Sequence, residues 1–360
     1  MVYYIRLLKP PRIFTGKKKK ATVKFVITVA TDLGDSFFPG DIELVSCLID
    51  SQYQITGLDS ANSQWRNGMR SVNVEIDIVN HPDINWPIRL YIYAQGVKSP
   101  RLGPDDIPII VGVNSDDIDL GNNGEARRRR VERPFSTDGS SLSIWEETGE
   151  SIARHIWDAG IALTGYFQKT ANKVTQDILF AQLQHVCSQG KRPRVIELGS
   201  GCGIVGIALA QRLPRADFVL TDLPEAMEIL EFNISKARPA NSTTIRAETL
   251  NWDEPLPRHL LEDAFNLILV SDCTYNSDSI PALVQTMSGL IARSPSALII
   301  VAMKVRHSSE AVFFDLMKDE RLAIEDNFAI PLPSHWSAED QELETVEVYV
   351  FKSARPAAPP

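Results

Sequence analysis

Cysteine pairs, long apolar runs and a surplus of positive charge are all missing from this sequence. Its four cysteines show no Cys-x-x-Cys or other metal-ligand spacing, so we expect no metal site. No segment approaches the roughly 18 apolar residues of a membrane helix, and no signal-like run opens the chain. With a net charge of −9, the surface as a whole does not suit nucleic acid. We therefore predict a chain without a membrane span that works in the cytoplasm, the nucleus or both.

The first third of the chain has the texture of a β-rich domain. Residues 22–50 and 71–97 are rich in β-branched and aromatic residues, and segments such as Val72–Ile78 alternate apolar and polar side chains. Short strands separated by turn clusters are typical of antiparallel sandwiches and barrels. We predict a smaller all-β, sandwich-like domain over residues 1–113, and we find no catalytic constellation in it.

A polar stretch follows that domain. Residues 114–141 contain many Asn, Asp, Gly and Ser residues and the run Arg127-Arg128-Arg129-Arg130. Low hydrophobicity predicts a mobile linker, with the arginines as a solvated charge run. A nuclear address or a patch for an acidic partner is the alternative for these arginines and for Lys17–Lys20.

Residues 142–360 have an α/β texture. A helical pattern covers 146–168, and a second helix precedes the first strand. Strands are predicted at 194–198, 217–221, 244–249, 265–271, 297–303, 322–328 and 344–351. Alternation of strands and helices predicts a mostly parallel, doubly wound sheet, and the last two strands form a plausible hairpin because no helical pattern separates them.

Glycines at alternate positions follow the first of these strands, in Glu197-Leu198-Gly199-Ser200-Gly201-Cys202-Gly203. Glycine permits a sharp turn and a close ligand, and the next helix presents free N–H groups. Glu197, at the strand end, would crowd a pyrophosphate but suits a ligand with an ammonium and a sulfonium. Asp222 ends the second strand, where a carboxylate can bind both ribose hydroxyls. The pattern favours S-adenosylmethionine over NAD; a tight turn without a ligand is the alternative.

Several short segments occur in an order that is typical of one enzyme family. They are Ile156–Leu163 with its Trp157, the glycine loop, Thr221-Asp222-Leu223, Asn233, Leu250-Asn251-Trp252, Asp272-Cys273-Thr274-Tyr275, Lys304-x-Arg306 and Phe313. With them, residues 145–352 resemble family 16 of the seven-strand S-adenosylmethionine-dependent methyltransferases, which contains many protein-lysine methyltransferases. The resemblance implies a Rossmann-like seven-strand domain over residues 142–360 and S-adenosyl-L-methionine as cofactor. About the first 135 residues lie outside it.

The resemblance also implies roles for individual residues. Asp272 and Tyr275 would be catalytic, standing on the substrate side after the fourth strand. Cofactor binding is expected of Trp157, Glu197, Gly199, Gly201, Gly203, Asp222, Trp252 and Asp272. Core packing is the alternative for the two tryptophans and Tyr275, and a helix cap is the alternative for Asp272.

The implied activity is N-methylation of lysine side chains in a protein substrate or complex partner. Methyl transfer needs alignment and a neutral amine rather than a metal. Two other functions stay open: a small-molecule N-methyltransferase of the nicotinamide type, and a cofactor-binding module that serves as a scaffold in a protein complex.

Overall fold

The computed structural model of the chain describes residues 1–15, 21–50, 55–78, 86–97, 100–103, 106–119, 126, 129–137, 140–147, 151–168, 181, 185–186, 190–262, 264–334 and 344–354. The chain divides into two compact units. The β unit comprises residues 1–102, 106–155 and 332–343. The α/β unit comprises residues 103–105, 156–331 and 344–360.

The described part of the β unit is built from strands. They are β1 (Tyr3–Leu7), β2 (Arg12–Thr15), β3 (Ala21–Ala30), β4 (Ile42–Ile49), β5 (Ile55–Trp65), β6 (Val72–Ile78), β7 (Arg89–Ala94), β8 (Ile110–Val111), β9 (Val113–Ser115), β10 (Arg130–Thr137) and β11 (Ser140–Glu147). A 3-10 turn, Ile152–Arg154, follows them.

These strands form two sheets around one apolar core. The five-stranded sheet has the order β2-β3-β1-β8, with β6 also paired to β3, and the six-stranded sheet has the order β11-β10-β9-β7-β4-β5. Alternate residues of each strand point inward, so Val23, Phe25 and Ile27 of β3 share a core with Leu44 and Leu48 of β4. The predicted all-β, sandwich-like fold is confirmed.

The linker expected at 114–141 is wrong for the residues that form strands. β10 pairs with β9 and, along its full length, with β11. Its inward positions include Arg133, which is 1% exposed and forms an ion pair with the buried Glu146, with Nη2 and Oε1 2.6 Å apart. Because a charged residue occupies a core position, the polar sequence concealed the strand alternation. Arg127 and Arg128 lie outside the described residues.

The helix expected at 146–168 is shorter than predicted. Glu146 ends up in β11 as the partner of Arg133, and α1 begins at Asp158 and ends at Phe167. The second helix predicted before the first strand lies largely outside the described residues. None of the described helices is long and apolar enough to span a membrane.

The α/β unit alternates strands and helices. Its strands are β12 (Arg194–Leu198), β13 (Asp217–Asp222), β14 (Thr244–Thr249), β15 (Leu267–Ser271), β16 (Leu298–Met303), β17 (Leu322–Pro331) and β18 (Thr345–Ser353). Its further helices are α2 (Ile204–Ala210), α3 (Pro224–Lys236), α4 (Arg258–Glu262), α5 (Ile280–Arg293) and α6 (Val312–Asp319).

The sheet of the α/β unit has seven strands in the order β14-β13-β12-β15-β16-β18-β17. β12 pairs in parallel with both β13 and β15, and β18 is antiparallel to β16 and to β17. The mostly parallel sheet and the terminal hairpin are confirmed. The strand order reverses at β12, and open α/β sheets bind ligands outside the carboxyl ends of the strands at such a point.

Candidate functional site

The glycine loop joins β12 to α2 in a conformation that favours glycine. Gly199, Gly201 and Gly203 have φ angles of +66°, +54° and +79°, in the left-handed region where residues with a Cβ atom are strained. A Cβ on Gly199 would lie 2.5 Å from Cys273 Sγ and 3.2 Å from the Trp252 ring. The loop thus brings bare backbone close to an indole and to the strand end of β15.

Glu197 is buried at the carboxyl end of β12, with 2% of its surface exposed. Its Oε2 accepts a hydrogen bond of 3.0 Å from the Gly206 N–H in the first turn of α2. The pKa of this carboxyl is raised to about 8, chiefly by burial; the Gly206 hydrogen bond opposes this rise, and the nearby Asp222 adds to it. The carboxyl is therefore largely protonated at neutral pH unless a cation approaches it.

Asp222 is held at the end of β13 by two backbone donors. Its Oδ2 accepts from the Gly201 N–H at 2.6 Å, and its Oδ1 accepts from the Leu223 N–H at 2.7 Å. Burial raises its pKa, and the two hydrogen bonds lower it. Asp222 thus ties the glycine loop to the second strand and is 8% exposed at the switch point.

Trp252 and Cys273 pack beside the glycine loop. The indole Nε1 of Trp252 is buried and has no hydrogen-bond partner among the described residues. The Cys273 thiol lies 3.5 Å from the Leu198 carbonyl oxygen, and burial raises its pKa well above the ordinary value. A buried donor with no acceptor among the described residues and a glycine-rich backbone turn both suit a polar ligand that carries a flat base, such as S-adenosylmethionine with its adenine.

Asp272 follows β15 and is paired with an arginine from the segment after β16. Arg306 Nη1 and Nη2 donate to Asp272 Oδ1 and Oδ2 at 2.6 and 2.8 Å, and the guanidinium lies 5.6 Å from the Trp157 ring centroid. Asp272 has a φ of +56°, a conformation that costs about 1–3 kcal/mol in a residue other than glycine. Both carboxylate oxygens of Asp272 therefore have a partner. The contacts around Asp272 must also hold its backbone in this strained conformation.

Tyr275 stands at the open end of the same segment. It is 51% exposed, and its hydroxyl has a raised pKa because of partial burial and the neighbouring Cys273, Asp222 and Asp272. The phenol therefore stays protonated at physiological pH. A protonated phenol cannot serve as a base, so the exposed ring is what Tyr275 offers at this position.

Three further acids, Glu310, Asp158 and Glu344, hold the segment after β16. Glu310 is 2% exposed and accepts hydrogen bonds from the Arg306 N–H at 2.8 Å and from the Thr274 hydroxyl at 3.3 Å. Lys304 Nζ donates to Oδ2 of the fully buried Asp158 at 2.9 Å and lies 3.1 Å from Glu344 Oε2. Asp158 starts α1, so this ion pair fixes the helix beside Trp157.

The structure brings the predicted residues to one edge of the α/β unit. Glu197, Asp222 and Asp272 follow the parallel, adjacent strands β12, β13 and β15. Sequence reasoning missed the pairing of Asp272 with Arg306 and the partnership of Lys304 with Asp158. The sequence did offer one signal for the first pair: Asp272 follows β15, and the basic residue Arg306 follows β16, its parallel neighbour. Among the described residues, no group of three or more metal-ligating side chains is found.

Comparison with known proteins gives consistent matches. A family model described as "Lysine methyltransferase" matches residues 136–320. A UPF0665 family protein of Schizosaccharomyces pombe is 29% identical, over 89% of this chain and 96% of its own. EEF1A lysine methyltransferase 3 of Mus musculus is 29% identical, over 61% of this chain and 80% of its own. The N-methyltransferase NodS from Bradyrhizobium japonicum, solved with S-adenosyl-L-homocysteine, has 12% identity and a TM-score of 0.35, over 55% of this chain and 99% of its own.

Proposed function

Because the chain belongs to the lysine methyltransferase family and is an S-adenosylmethionine-dependent enzyme, we propose that it transfers the methyl group to lysine side chains of a protein substrate through the residues described above. One observation carries the assignment of the site. Two buried strand-end carboxylates, Glu197 and Asp222, bracket a glycine loop with positive φ angles, and the Asp272–Arg306 pair lies at the neighbouring strand end.

The cofactor would be held by the loop and by the two flanking acids. The backbone of Gly199, Gly201 and Gly203 would contact the methionine part, and the Glu197 carboxylate would face its ammonium. Asp222 would accept hydrogen bonds from the ribose, since a carboxylate in this position suits a diol. Trp157 and Trp252 would flank the adenine side, where aromatic faces suit a flat base. When bound, the cofactor supplies a methyl group already activated by a sulfonium.

The substrate side would be formed by Asp272 and Tyr275. Because Arg306 occupies both oxygens of Asp272, we assign that carboxylate to placing the substrate rather than to removing a proton. Tyr275 would form one wall of the channel that receives the lysine side chain. A lysine ammonium has a pKa near 10.4 in water, and removal from water in that channel would favour its neutral form.

Transfer of a labelled methyl group tests this proposal directly. The full chain is incubated with labelled S-adenosylmethionine and a cell lysate, and separately with EEF1A, which the name of the mouse relative contains. We expect a labelled protein whose modified residue is lysine. Label in a small molecule such as nicotinamide would instead support the small-molecule enzyme, and cofactor binding without any labelled product would support the scaffold.

Matched variants connect the activity to the site. Asp217 and Asp222 begin and end the same strand; the Asp217 side chain is 36% exposed, whereas Asp222 is buried. Asp222→Asn should weaken binding of S-adenosylhomocysteine, and Asp217→Asn should leave it unchanged. Asp272→Asn should lower transfer strongly while cofactor affinity stays within about threefold, and Tyr275→Phe should be milder than Tyr275→Ala. Full activity of Asp272→Asn on an identified substrate would refute its assigned role.

The cellular location remains a prediction of the sequence. We propose the cytoplasm, the nucleus or both, where a protein-lysine methyltransferase would meet its substrates. Fluorescence imaging of the tagged chain checks this, and accumulation in a membrane-bound compartment would contradict it.

A further inference from the structure

Arg306 holds Asp272 from the end of the neighbouring strand. β15 and β16 are parallel neighbours, and the Asp272 N–H donates to the Ala302 carbonyl oxygen at 2.8 Å, so the two segments leave the sheet side by side. The two terminal nitrogens of Arg306 then reach the two carboxylate oxygens of Asp272 at 2.6 and 2.8 Å. Two parallel hydrogen bonds from a planar fork fix the plane of the carboxylate as well as its position.

Asp272 depends on this partner because of where it lies. It is 7% exposed, and its backbone, with a φ of +56°, has a conformation that residues with a Cβ atom rarely adopt. A buried carboxylate that loses its partner is costly. Removal of the guanidinium would therefore let the Asp272 side chain turn toward water, and its orientation at the strand end would be lost.

Arg306 is itself fixed at its backbone. The N–H groups of Arg306 and His307 donate to Glu310 Oε1 at 2.8 and 3.0 Å. The other oxygen of Glu310 accepts from the Thr274 hydroxyl at 3.3 Å, and Glu310 is 2% exposed. One buried carboxylate thus ties the segment that carries Arg306 to the segment that carries Asp272.

The guanidinium is also restrained on a second side. Its central carbon lies 5.6 Å from the centroid of the Trp157 ring, within the range of a cation–π contact. Trp157 precedes α1, and the first residue of α1, Asp158, accepts from Lys304 Nζ at 2.9 Å. The indole that restrains Arg306 is therefore anchored to the same segment after β16.

We propose that Arg306 is a positioning residue for methyl transfer, which acts by holding the Asp272 carboxylate in the orientation that places the substrate. The inference rests on the proposed function, because that function assigns Asp272 to the substrate. Arg306 does not touch the reacting atoms. Methyl transfer depends on alignment, and a misplacement of about 1 Å can cost about 100-fold in rate. Lysine lacks the planar fork, so Arg306→Lys keeps the charge but cannot hold both oxygens.

Steady-state kinetics of the full chain test this role. The substrate is the protein that the wild type labels in the transfer assay described above. Arg306→Ala should lower kcat by about 100-fold and Arg306→Lys by about tenfold, while the KM for S-adenosylmethionine and the affinity for S-adenosylhomocysteine stay within about threefold. Retained affinity also shows that the variant is folded. Arg293→Ala, at the exposed end of α5, is the matched control and should keep wild-type kinetics.

A double variant tests whether Arg306 acts through Asp272. Asp272→Asn/Arg306→Ala should be within about threefold of Asp272→Asn alone, because the arginine then has no carboxylate to position. The double variant contains no unpaired carboxylate at this position, so the comparison is valid even if Arg306→Ala does not fold. A further loss greater than about threefold would overturn the proposal.

The remaining outcomes separate the inference from the function on which it rests. Wild-type kinetics of Arg306→Ala, with Asp272→Asn impaired, would overturn the inference alone. Full activity of Asp272→Asn, or no transfer to protein by the wild type, would refute the proposed function and the inference with it.

Discussion

The affinity for S-adenosylmethionine should rise with pH, because Glu197 has to lose a proton before it can meet a cation. Burial raises the pKa of the Glu197 carboxyl from 4.5 to about 8. In the free protein below pH 8 this group is mostly neutral. A ligand that brings an ammonium against it favours the carboxylate, so binding releases a proton.

The size of the effect follows from that pKa. If the bound ammonium returns the pKa of the Glu197 carboxyl from about 8 to the ordinary value near 4.5, the ion pair is worth on the order of 5 kcal/mol. Between about pH 5.5 and 7, affinity should therefore rise about tenfold per pH unit and level off near pH 8. We restrict the tenfold rise to pH values below about 7 because the α-amino group of the ligand has a pKa near 8 and begins to lose its own proton above pH 7.

Calorimetry in two buffers with different ionisation enthalpies measures both the affinity and the protons released. The wild type should release about one proton per ligand near pH 6. Glu197→Gln keeps an oxygen for the Gly206 N–H but cannot titrate, so its weaker binding should show a flat pH profile. Asp217→Asn, at the other end of β13, should keep the wild-type slope.

Two outcomes would refute this reasoning. A wild-type affinity that is independent of pH over this range would mean that Glu197 does not meet a cation in the complex. A Glu197→Gln profile as steep as the wild type would assign the proton to another group, of which Asp222 is the nearest candidate because its pKa is also raised.

Two further predictions concern stability and the glycine loop. Glu146→Gln should destabilise the protein by about 3–5 kcal/mol in denaturant unfolding, because Arg133 would stay buried without its carboxylate. Burial raises the Glu146 pKa, but Arg133 and His155 lower it more, so in the wild type this stabilisation holds above about pH 4.5 and is lost as pH falls below it. Gly206→Ala would bring a Cβ to 2.5 Å from Glu197 Oε2 and into Leu220, and should weaken S-adenosylhomocysteine binding; unchanged affinity would contradict the packing seen here.

The α/β unit was predictable because its signals are local. Apolar strands end in acids, a glycine loop follows the first strand, and parallel strands place Glu197, Asp222 and Asp272 at one edge. The pairing of Asp272 with Arg306 joins residues 34 positions apart and leaves no local pattern. Arg306 belongs to the Lys304-x-Arg306 motif, but the motif does not indicate that Arg306 pairs with Asp272.

The β unit was less predictable for a physical reason. A strand is recognised by apolar residues at alternate positions, and β10 places Arg133 at one of them. That arginine is acceptable in the core because Glu146 and the carbonyl oxygens of Ile5 and Gly112 satisfy it, and these partners come from distant parts of the chain. Polar composition therefore predicted a linker where the fold has a central ion pair.

The position of β18 has a consequence for biosynthesis. β17 leaves the ribosome before β18, yet in the sheet it pairs with β18 and not with β16. Until residues 345–353 have emerged, β17 has no strand to pair with, and β16 has an open edge. The α/β unit can therefore complete its sheet only after β18 has been synthesised. A stop before β18 would leave the apolar strand β16 with an open edge and β17 without a partner, and unpaired strand edges promote aggregation.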